Sequence, residues 1–450
     1  MKRARTLRRA QQPQSLIQHL RQFLTPEVSK QARAAVPRGR ARARWDLQPL
    51  LIIALAMTWA AGDSQAEKFE TARGFYVVTY DARKRPGKTL QGFQKALSRI
   101  PLRQLQAVAA GVRHQIRVRF AERWLSDGFE PMGCDGSRLE CPRSAELEAR
   151  LRQAGKEDSA PTVWVTAFVH LATGILWSWQ LGSGTADERQ HLRRLLATLS
   201  PAALIVADAA YMGYELVWAI VQTKRSFLLR MSSKVALYTA DRTPLTTWSE
   251  GLVYCWPKYA QENGRPPLVC RLIRVPARGS VKHDVWLLTD VLDPARLSAA
   301  TAARFYRWRW RNEGLFRIYK RTINKVKLSS RTVRLVHREA FVSLLAVQLL
   351  LAHAEWALRS PVPPVTPAIS PRKVLIAIRK ELKGTASRRE GSYRKRLEGC
   401  RAETRRQKSP KARREWPRRK EHKPPRPPVL HTLTEEQKAL LQRHFDAAQR

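Results

Sequence analysis

Four polar side chains between Phe305 and Lys320 have the spacing of a single helix face. The segment reads FYRWRWRNEGLFRIYK. At about 3.6 residues per turn, Tyr306, Arg309, Glu313 and Lys320 fall within an arc of about 60° on a helix. One stripe therefore carries an acid, two bases and a phenol.

The same spacing has a plainer interpretation, in which Arg309 and Glu313 are i,i+4 partners on a solvated helix face. Arg before Glu is the weaker orientation for such a pair. This interpretation also gives Tyr306 and Lys320 no role. Spacing alone leaves both interpretations open.

Two aspartates upstream are associated with predicted strands. Asp135 lies in the extended stretch Phe129–Leu139, and we expect it at the end of a strand, where Gly136 lets the backbone turn. Asp208 ends the apolar run that begins at Ala203, which is typical of a strand buried on both faces. Its carboxylate would project from the carboxyl end of that strand, where α/β sheets bind ligands.

The segments between these acids are rich in strand patterns. Residues 161–170 and 175–181 are β-branched and aromatic on either side of Thr173-Gly174, which predicts a hairpin. Short strands punctuated by Pro and Gly are predicted over about 226–296. Because about 105 residues separate Asp208 from Glu313, we predict a β insertion between the second and third acids.

The charge of the chain points to a polyanionic partner. The 450 residues contain 83 Lys and Arg against 37 Asp and Glu, a formal charge of +46. Nucleic acid or an anionic surface usually neutralises so basic a protein. The longest uncharged apolar run, Leu47–Gly62, is shorter than the about 20 residues that span a bilayer, so we expect no membrane partner. The basic N-terminus has no apolar h-region, and no signal peptide is predicted.

The cysteines predict neither a disulfide framework nor a zinc site. There are five, an odd number, and no CxxC pair occurs. We therefore expect reduced thiols.

The spacing Tyr306, two residues, Arg309, three residues, Glu313, six residues, Lys320 resembles the Y-R-E-K signature of the DDE transposases of bacterial insertion sequences, of the insertion-sequence-four type. Asp135 stands in a D-G-S setting similar to the family's first catalytic aspartate. Asp208 stands in a D-x-x-Y setting similar to the second, with two alanines in place of the more usual Arg-Gly.

The resemblance implies an α/β fold with an RNase H-like catalytic core interrupted by the β-strand insertion. Residues 1–127 would be a helical DNA-binding region, residues 128–358 the catalytic domain, and residues 359–450 a Pro-rich linker with a basic tail. From 372 to 426 the chain has few apolar residues, and we expect it to be largely disordered without DNA. A capping box at Thr434 and Gln437 predicts a short last helix.

The resemblance also implies the roles of individual residues. Asp135, Asp208 and Glu313 would be the catalytic carboxylates and would hold two Mg²⁺ or Mn²⁺ ions. Tyr306, Arg309 and Lys320 would bind DNA phosphates. In a W-L-L-T stretch of relatives, a tryptophan stacks on a flipped base, and the matching position is Trp286.

The implied activity is DNA cleavage at terminal inverted repeats followed by strand transfer into target DNA. The protein would act as a homodimer on paired ends of double-stranded DNA, in the bacterial cytoplasm at the nucleoid. Two alternatives share these residues: a DNA-binding remnant or repressor without activity, and a metal-dependent nuclease without strand transfer.

Overall fold

A computed structural model describes residues 13–36, 45–80, 85–153, 158–231, 235–240, 249–277, 283–358, 369–386, 391–401 and 430–449. Within these ranges the protein is a mixed α/β structure built on one large mixed sheet.

Six helices precede the sheet and fall within residues 1–127, for which a helical region is predicted. They are α1 (Leu16–Arg21), α2 (Pro26–Ala34), α3 (Leu47–Trp59), α4 (Gln65–Thr79), α5 (Leu90–Arg99) and α6 (Leu102–Arg119). Each of the first five begins after a Ser, Thr or Asp whose side chain accepts a backbone N–H of the first turn. Such caps satisfy donors that a helix leaves unpaired, so the local sequence defines these starts.

Ten strands form a single sheet. They are β1 (Glu130–Glu140), β2 (Thr162–His170), β3 (Ile175–Ser183), β4 (Ala203–Ala207), β5 (Ser226–Arg230), β6 (Leu237–Thr239), β7 (Gly251–Cys255), β8 (Leu268–Val275), β9 (Val285–Thr289) and β10 (Leu430–Thr432). Their spatial order is β10-β6-β7-β8-β9-β5-β4-β1-β2-β3. The predicted hairpin is confirmed as β2 and β3, which pair antiparallel around a turn where Gly174 has a φ of 73°.

The first five strands are arranged as expected for the predicted core. β1 pairs antiparallel with β2 and parallel with β4, and β4 pairs parallel with β5. The order β3-β2-β1-β4-β5 is consistent with the predicted RNase H-like core.

The strands between the second and third acids extend the same sheet. β9 pairs antiparallel with β5, and β8, β7 and β6 follow outward. β5 lies inside the predicted range 226–296, yet it pairs parallel with β4. The strands added beyond this five-strand group therefore begin at β6.

The remaining helices cover both faces of the sheet. They are α7 (Ala145–Leu151), α8 (Glu188–Leu195), α9 (Tyr214–Gln222), α10 (Lys258–Glu262), α11 (Ala299–Trp308), α12 (Trp310–Arg317), α13 (Val333–Leu358), α14 (Pro371–Lys383), α15 (Tyr393–Glu398) and α16 (Glu435–Gln449). On one face, α11 packs Phe305 and Tyr306 into a small core with Val206 and Leu287. The other face belongs to a larger core that reaches the N-terminal helices.

Helix α13 joins the sheet to the N-terminal helices. Phe341 packs its ring against Trp179 of β3, with 5.0 Å between ring centroids. Gln348 donates to the backbone carbonyls of Leu176 and Trp177 (2.8 and 2.9 Å), where the register between β2 and β3 shifts. On its other side, α13 accepts a hydrogen bond at its Ala346 carbonyl from the indole of Trp59 in α3 (3.3 Å). The N-terminal helices and the sheet therefore share a hydrophobic core.

Two segments of the basic tail are helical, contrary to the prediction that 372–426 is largely disordered. α14 buries Val374, Leu375, Ile378 and Leu382 at helical intervals, and α15 buries Tyr393 and Leu397. These few apolar residues suffice because both helices pack onto the existing core instead of forming one of their own. Residues 359–368, which include most of the predicted Pro-rich linker at 361–371, and residues 402–429, which include the rest of the predicted basic segment, lie outside the described residues.

The last helix begins at the predicted capping box. The Thr434 hydroxyl accepts the N–H of Gln437 (3.3 Å), and the Gln437 side chain accepts the N–H of Thr434 (3.0 Å). Local sequence alone therefore defines where α16 starts.

By length and composition, one helix of the described residues, α13, could cross a membrane. Of its most apolar window, 83% is buried inside the protein. Burial of this kind is typical of a core helix, and the apolar composition is explained by packing.

Candidate active site

Strands β1 and β4 bring the two predicted aspartates to neighbouring positions. The strands are parallel, with Gly133 opposite Val206. Asp135 lies two residues beyond Gly133, and Asp208 two residues beyond Val206. Because side chains alternate along a strand, both carboxylates face the side of the sheet covered by α11 and α12.

The surroundings of Asp135 differ from the prediction. It lies in the middle of the 11-residue strand β1, opposite Ala167, and not at a strand end. Gly136 makes no turn there and continues the pairing with β2. The backbone N–H of Gly136 donates to Asp135 Oδ1 at 2.8 Å. Small residues flank Asp135 because side chains from other elements occupy the space beside β1.

The predicted single helix from 305 to 320 is interrupted. α11 ends at Trp308, α12 begins at Trp310, and a π-helical turn follows at Ile318–Thr322. At the junction, the N–H of Arg309 bonds to the carbonyl of Tyr306 three residues back (3.1 Å). This tighter turn and the wider turn at 318–322 change the helical phase, so the predicted four-residue stripe is not continuous.

Helix α12 is held directly against β1. A methyl group built on Gly133 would lie 2.7 and 2.8 Å from the amide atoms of Asn312. Arg311 donates to the carbonyl of Ala172 at the β2–β3 turn (2.7 Å) and also to that of Leu171. Glu313, next to Asn312, is thereby carried toward the strand that holds Asp135.

The three carboxylates influence each other electrostatically. Burial raises the pKa of Asp135, and the like charges of Glu313 and Asp208 raise it further. The hydrogen bond from Gly136 and the charge of Arg309 oppose this rise. Asp135, Asp208, Glu313 and Arg309 therefore lie within one electrostatic environment.

Asp208 is surrounded by basic and phenolic groups. Its Oδ1 accepts the N–H of Ala209 (2.7 Å) and lies 3.8 Å from Nη1 of Arg230 on β5. Burial raises the pKa of Tyr306, and the negative charge of Asp208 adds to the effect, while Arg309 and Arg230 lower it. Tyr306 therefore belongs to the same cluster.

Arg309 is a buried cation. Only 8% of the residue is exposed, and its guanidinium lies 5.4 Å from the ring centres of both Tyr306 and Trp310. Its Nε has no hydrogen-bond partner in the described part of the chain. A buried donor without a partner is energetically costly, and a bound anion that accepts a hydrogen bond from this Nε would remove that cost.

Two predicted site residues lie apart from this cluster. Lys320 is in the π-helical turn, and the charge that acts on it is that of Glu140 at the far end of β1. Trp286 of β9 packs against the larger core, whereas its neighbour Leu287 belongs to the small core beneath α11. Tyr306 and Trp286 therefore face opposite sides of the sheet.

Three polar residues near the acids were not among the predicted site residues. Arg230 pairs with Asp208, as described above, and Asn312 is fully buried with neither amide atom partnered among the described residues. Glu188, at the start of α8, brings its Oε1 within 2.7 Å of where a Gly136 methyl group would lie. Burial raises the pKa of Glu188, and the charge of Asp135 contributes. Of the three, only Glu188 has a local sequence signal, its position beside Arg189 in the first turn of a helix, and charged pairs are common there.

A comparison with known protein families finds a match to the part of the chain that contains this site. Residues 134–349, just under half of the chain, match the family model of the transposase DDE domain. The match spans Asp135, Asp208 and Glu313 and supports a transposase function. No curated protein matches the sequence.

One solved structure with a similar backbone is the cryo-EM structure of the piggyBac transposase synaptic complex with hairpin DNA. Sequence identity is 13%, the TM-score is 0.43, and the alignment covers 84% of this chain and 82% of that chain.

Transposases with a DDE domain generally use divalent metal ions. Within the described ranges, no group of three or more His, Cys, Asp or Glu side chains lies close enough together to hold one. The donor chemistry nevertheless fits, because carboxylate oxygens are the hard ligands that Mg²⁺ and Mn²⁺ prefer. Burial and, after it, the like charges of Glu313 and Asp208 raise the pKa of Asp135, and a bound cation would relieve the repulsion between these charges.

Proposed function

We propose that this protein is a transposase that cleaves DNA at the terminal inverted repeats of an insertion sequence and joins the ends to target DNA. The observation that carries the proposal is the transposase DDE domain match over residues 134–349, which contains all three acids in order. Their shared electrostatic environment supports the same conclusion.

Asp135, Asp208 and Glu313 would hold divalent metal ions, Mg²⁺ or Mn²⁺. Two such ions stabilise the attacking and leaving oxygens of an in-line phosphoryl transfer. The protein's own part is to fix these carboxylates. β1 and β4 are locked by parallel pairing, and α12 is anchored to the β2–β3 turn through Arg311.

The cations around the acids would stabilise negative charge on the phosphate. Arg309 is buried, with an unpartnered Nε among the described residues, and lies over the ring of Tyr306. Donors fixed in a dry site are worth more than the same donors in water. Lys320 would then contact DNA outside the central cluster, and Trp286 would stack on an extruded base.

The partner is double-stranded DNA, bound by a homodimer that pairs two ends. The formal charge of +46 supports a strongly electrostatic mode of binding. The affinity for DNA should therefore fall steeply with salt. For each phosphate contact, a tenfold increase in salt concentration should lower the binding constant about tenfold. An affinity unchanged between 50 and 200 mM salt would exclude this electrostatic mode.

The test is cleavage of labelled duplexes that carry the inverted repeats flanking the gene, with Mg²⁺. The parent is compared with Glu313→Gln and with the matched control Glu262→Gln, a substitution on exposed helix α10. We expect all three proteins to bind, and the parent and the control to cleave and join strands. Glu313→Gln should lose at least about 10²-fold in cleavage rate.

Other outcomes identify the alternatives. Binding without cleavage by any protein would indicate a DNA-binding remnant. Cleavage without joining would indicate a nuclease. Equal cleavage by Glu313→Gln and the parent would remove Glu313 from the site and contradict the proposed roles.

A further inference from the structure

A cavity of about 270 Å³ lies between the N-terminal helices and α13, and none of the three acids lines it. Its basic side chains come from α4, from α14 and from the segment between α12 and α13. They are Lys68, Lys325, Lys327 and Arg379. We call this site the basic cavity.

The single carboxylate that lines the basic cavity is already engaged. Glu339 accepts hydrogen bonds from the Lys325 ammonium (2.6 Å) and from the backbone N–H groups of Ser329 (3.1 Å) and Ser330 (2.9 Å). Burial favours its neutral form, but these donors outweigh burial and hold the pKa of Glu339 below its usual range. Glu339 is therefore ionised and forms an ion pair with Lys325.

The cations that line the basic cavity outnumber the carboxylate that lines it. Among the described residues, neither Lys68 nor Lys327 forms an ion pair, and the Nε of Arg379 donates to the carbonyl of Trp59 (2.9 Å). Burial lowers the pKa of Lys68, and the charges of Lys325 and Arg379 lower it further, which together outweigh the opposing charges of Glu339 and Asp63. Like charges gathered at one cavity are unfavourable unless an anion joins them.

Part of the wall of the basic cavity is apolar. It contains Met57 of α3, Phe93 and Leu97 of α5, and Val342 of α13. A water occupies about 30 Å³ of liquid volume, so a cavity of about 270 Å³ has room for much more than one phosphate group. A ligand that fits has an anionic end and a larger, less polar body.

We propose that the basic cavity binds a nucleotide through its phosphate, either as a free nucleotide or as a unit of a DNA strand. Several Lys and Arg side chains lining one cavity are typical of phosphate recognition. The apolar wall would take the nucleoside. This site is separate from the carboxylates of the proposed active site and does not depend on their function.

The experiment is calorimetric titration of the full-length protein with dAMP, inorganic phosphate and deoxyadenosine. We expect dAMP to bind, inorganic phosphate to compete with it, and deoxyadenosine to bind at least tenfold more weakly. Lys68→Gln removes one charged contact and should weaken dAMP roughly tenfold. Lys95→Gln, an exposed position on α5 that does not line the cavity, should bind like the parent.

Further variants keep the outcome clear. Lys327 also lines the cavity and is exposed, so Lys327→Gln tests the same site if Lys68→Gln fails to fold. Glu313→Gln should bind dAMP like the parent, so loss of the proposed catalysis and loss of this site are separate results. Displacement of dAMP by a duplex oligonucleotide would identify DNA as the source of the phosphate, and retention would identify the free nucleotide. No saturable binding of dAMP or phosphate by the folded parent, or equal weakening by Lys68→Gln and Lys95→Gln, would overturn the proposal.

Discussion

Replacing Gly133 by alanine should separate β1 from helix α12 and displace Glu313. An alanine methyl group at this position would lie 2.6 Å from Cδ2 of Leu171 and 2.7 Å from Nδ2 of Asn312. Ordinary carbon contacts begin near 3.4 Å, so these groups must yield by about 0.7 to 0.8 Å. Leu171 and Asn312 are both fully buried, and neither can swing into solvent.

Two effects follow from that shift. Overpacking a well-packed site costs about 1–3 kcal/mol of unfolding free energy. A misplacement of about 1 Å at a catalytic group can cost on the order of 10²-fold in rate. We therefore expect Gly133→Ala to be moderately destabilised, to bind DNA, and to cleave it roughly 10- to 100-fold more slowly.

Gly314→Ala is the matched control. Gly314 lies on the same helix, next to Glu313, and nothing lies within 4 Å of the position its methyl group would take. Alanine is the better helix former, so this variant should be as stable as the parent or up to about 1 kcal/mol more stable. Urea unfolding followed by tryptophan fluorescence gives the stabilities, and the duplex cleavage assay gives the rates. Equal stability and equal cleavage in the two variants would refute the close contact between Asn312 and β1.

Three further predictions concern the buried core. His353 forms hydrogen bonds with the Leu349 carbonyl and the Tyr393 hydroxyl, and burial lowers its pKa from 6.5 to about 4. As the pH falls, the unfolded chain therefore takes up a proton at this residue before the folded protein does. The stability that this group contributes above pH 6.5 is lost as the pH falls toward 4. Urea unfolding at pH 7 and pH 5 should show a loss of about 2 kcal/mol from this group, and His353→Gln with an unchanged pH dependence would contradict it. Trp59→Phe removes the indole hydrogen bond to α13 and should cost about 1 kcal/mol in the same assay, whereas Trp310→Phe at a position 61% exposed should cost less than about 0.5 kcal/mol. All five cysteines are buried and free, and burial raises the pKa of Cys141 and Cys255 to about 12. A disulfide reagent at pH 8 should therefore label the folded protein far more slowly than the denatured protein. Rapid labelling of five thiols in the folded protein would contradict their burial.

The sequence predicts those elements whose signals are local. The hairpin β2–β3 follows from two runs of β-branched and aromatic residues on either side of a turn, and strand β4 follows from a short continuous apolar run. The start of α16 follows from the capping box at Thr434 and Gln437. Each of these signals lies within a few residues of the element that it defines.

Predictions that depend on contacts between distant segments were less accurate. Gly136 next to Asp135 suggested a turn, but both residues continue in β1 and pair with β2. The glycine is explained by the side chain of Glu188, which would lie 2.7 Å from a methyl group at this position. Helical spacing placed Lys320 on the stripe of Glu313, but the π-helical turn at Ile318–Thr322 changes the helical phase between these two residues.

The sequence by itself determined the order of the acids, a helix that carries Glu313, a strand that carries Asp135, and a strand that ends just before Asp208. The tertiary structure alone decided that Arg230 and Glu188 join these acids, and that Lys320 and Trp286 lie elsewhere. The physical reason is that period and propensity act between neighbours in the chain. Sheet register and helix docking determine which side chains meet, and these bring together residues that can be more than a hundred positions apart in the chain.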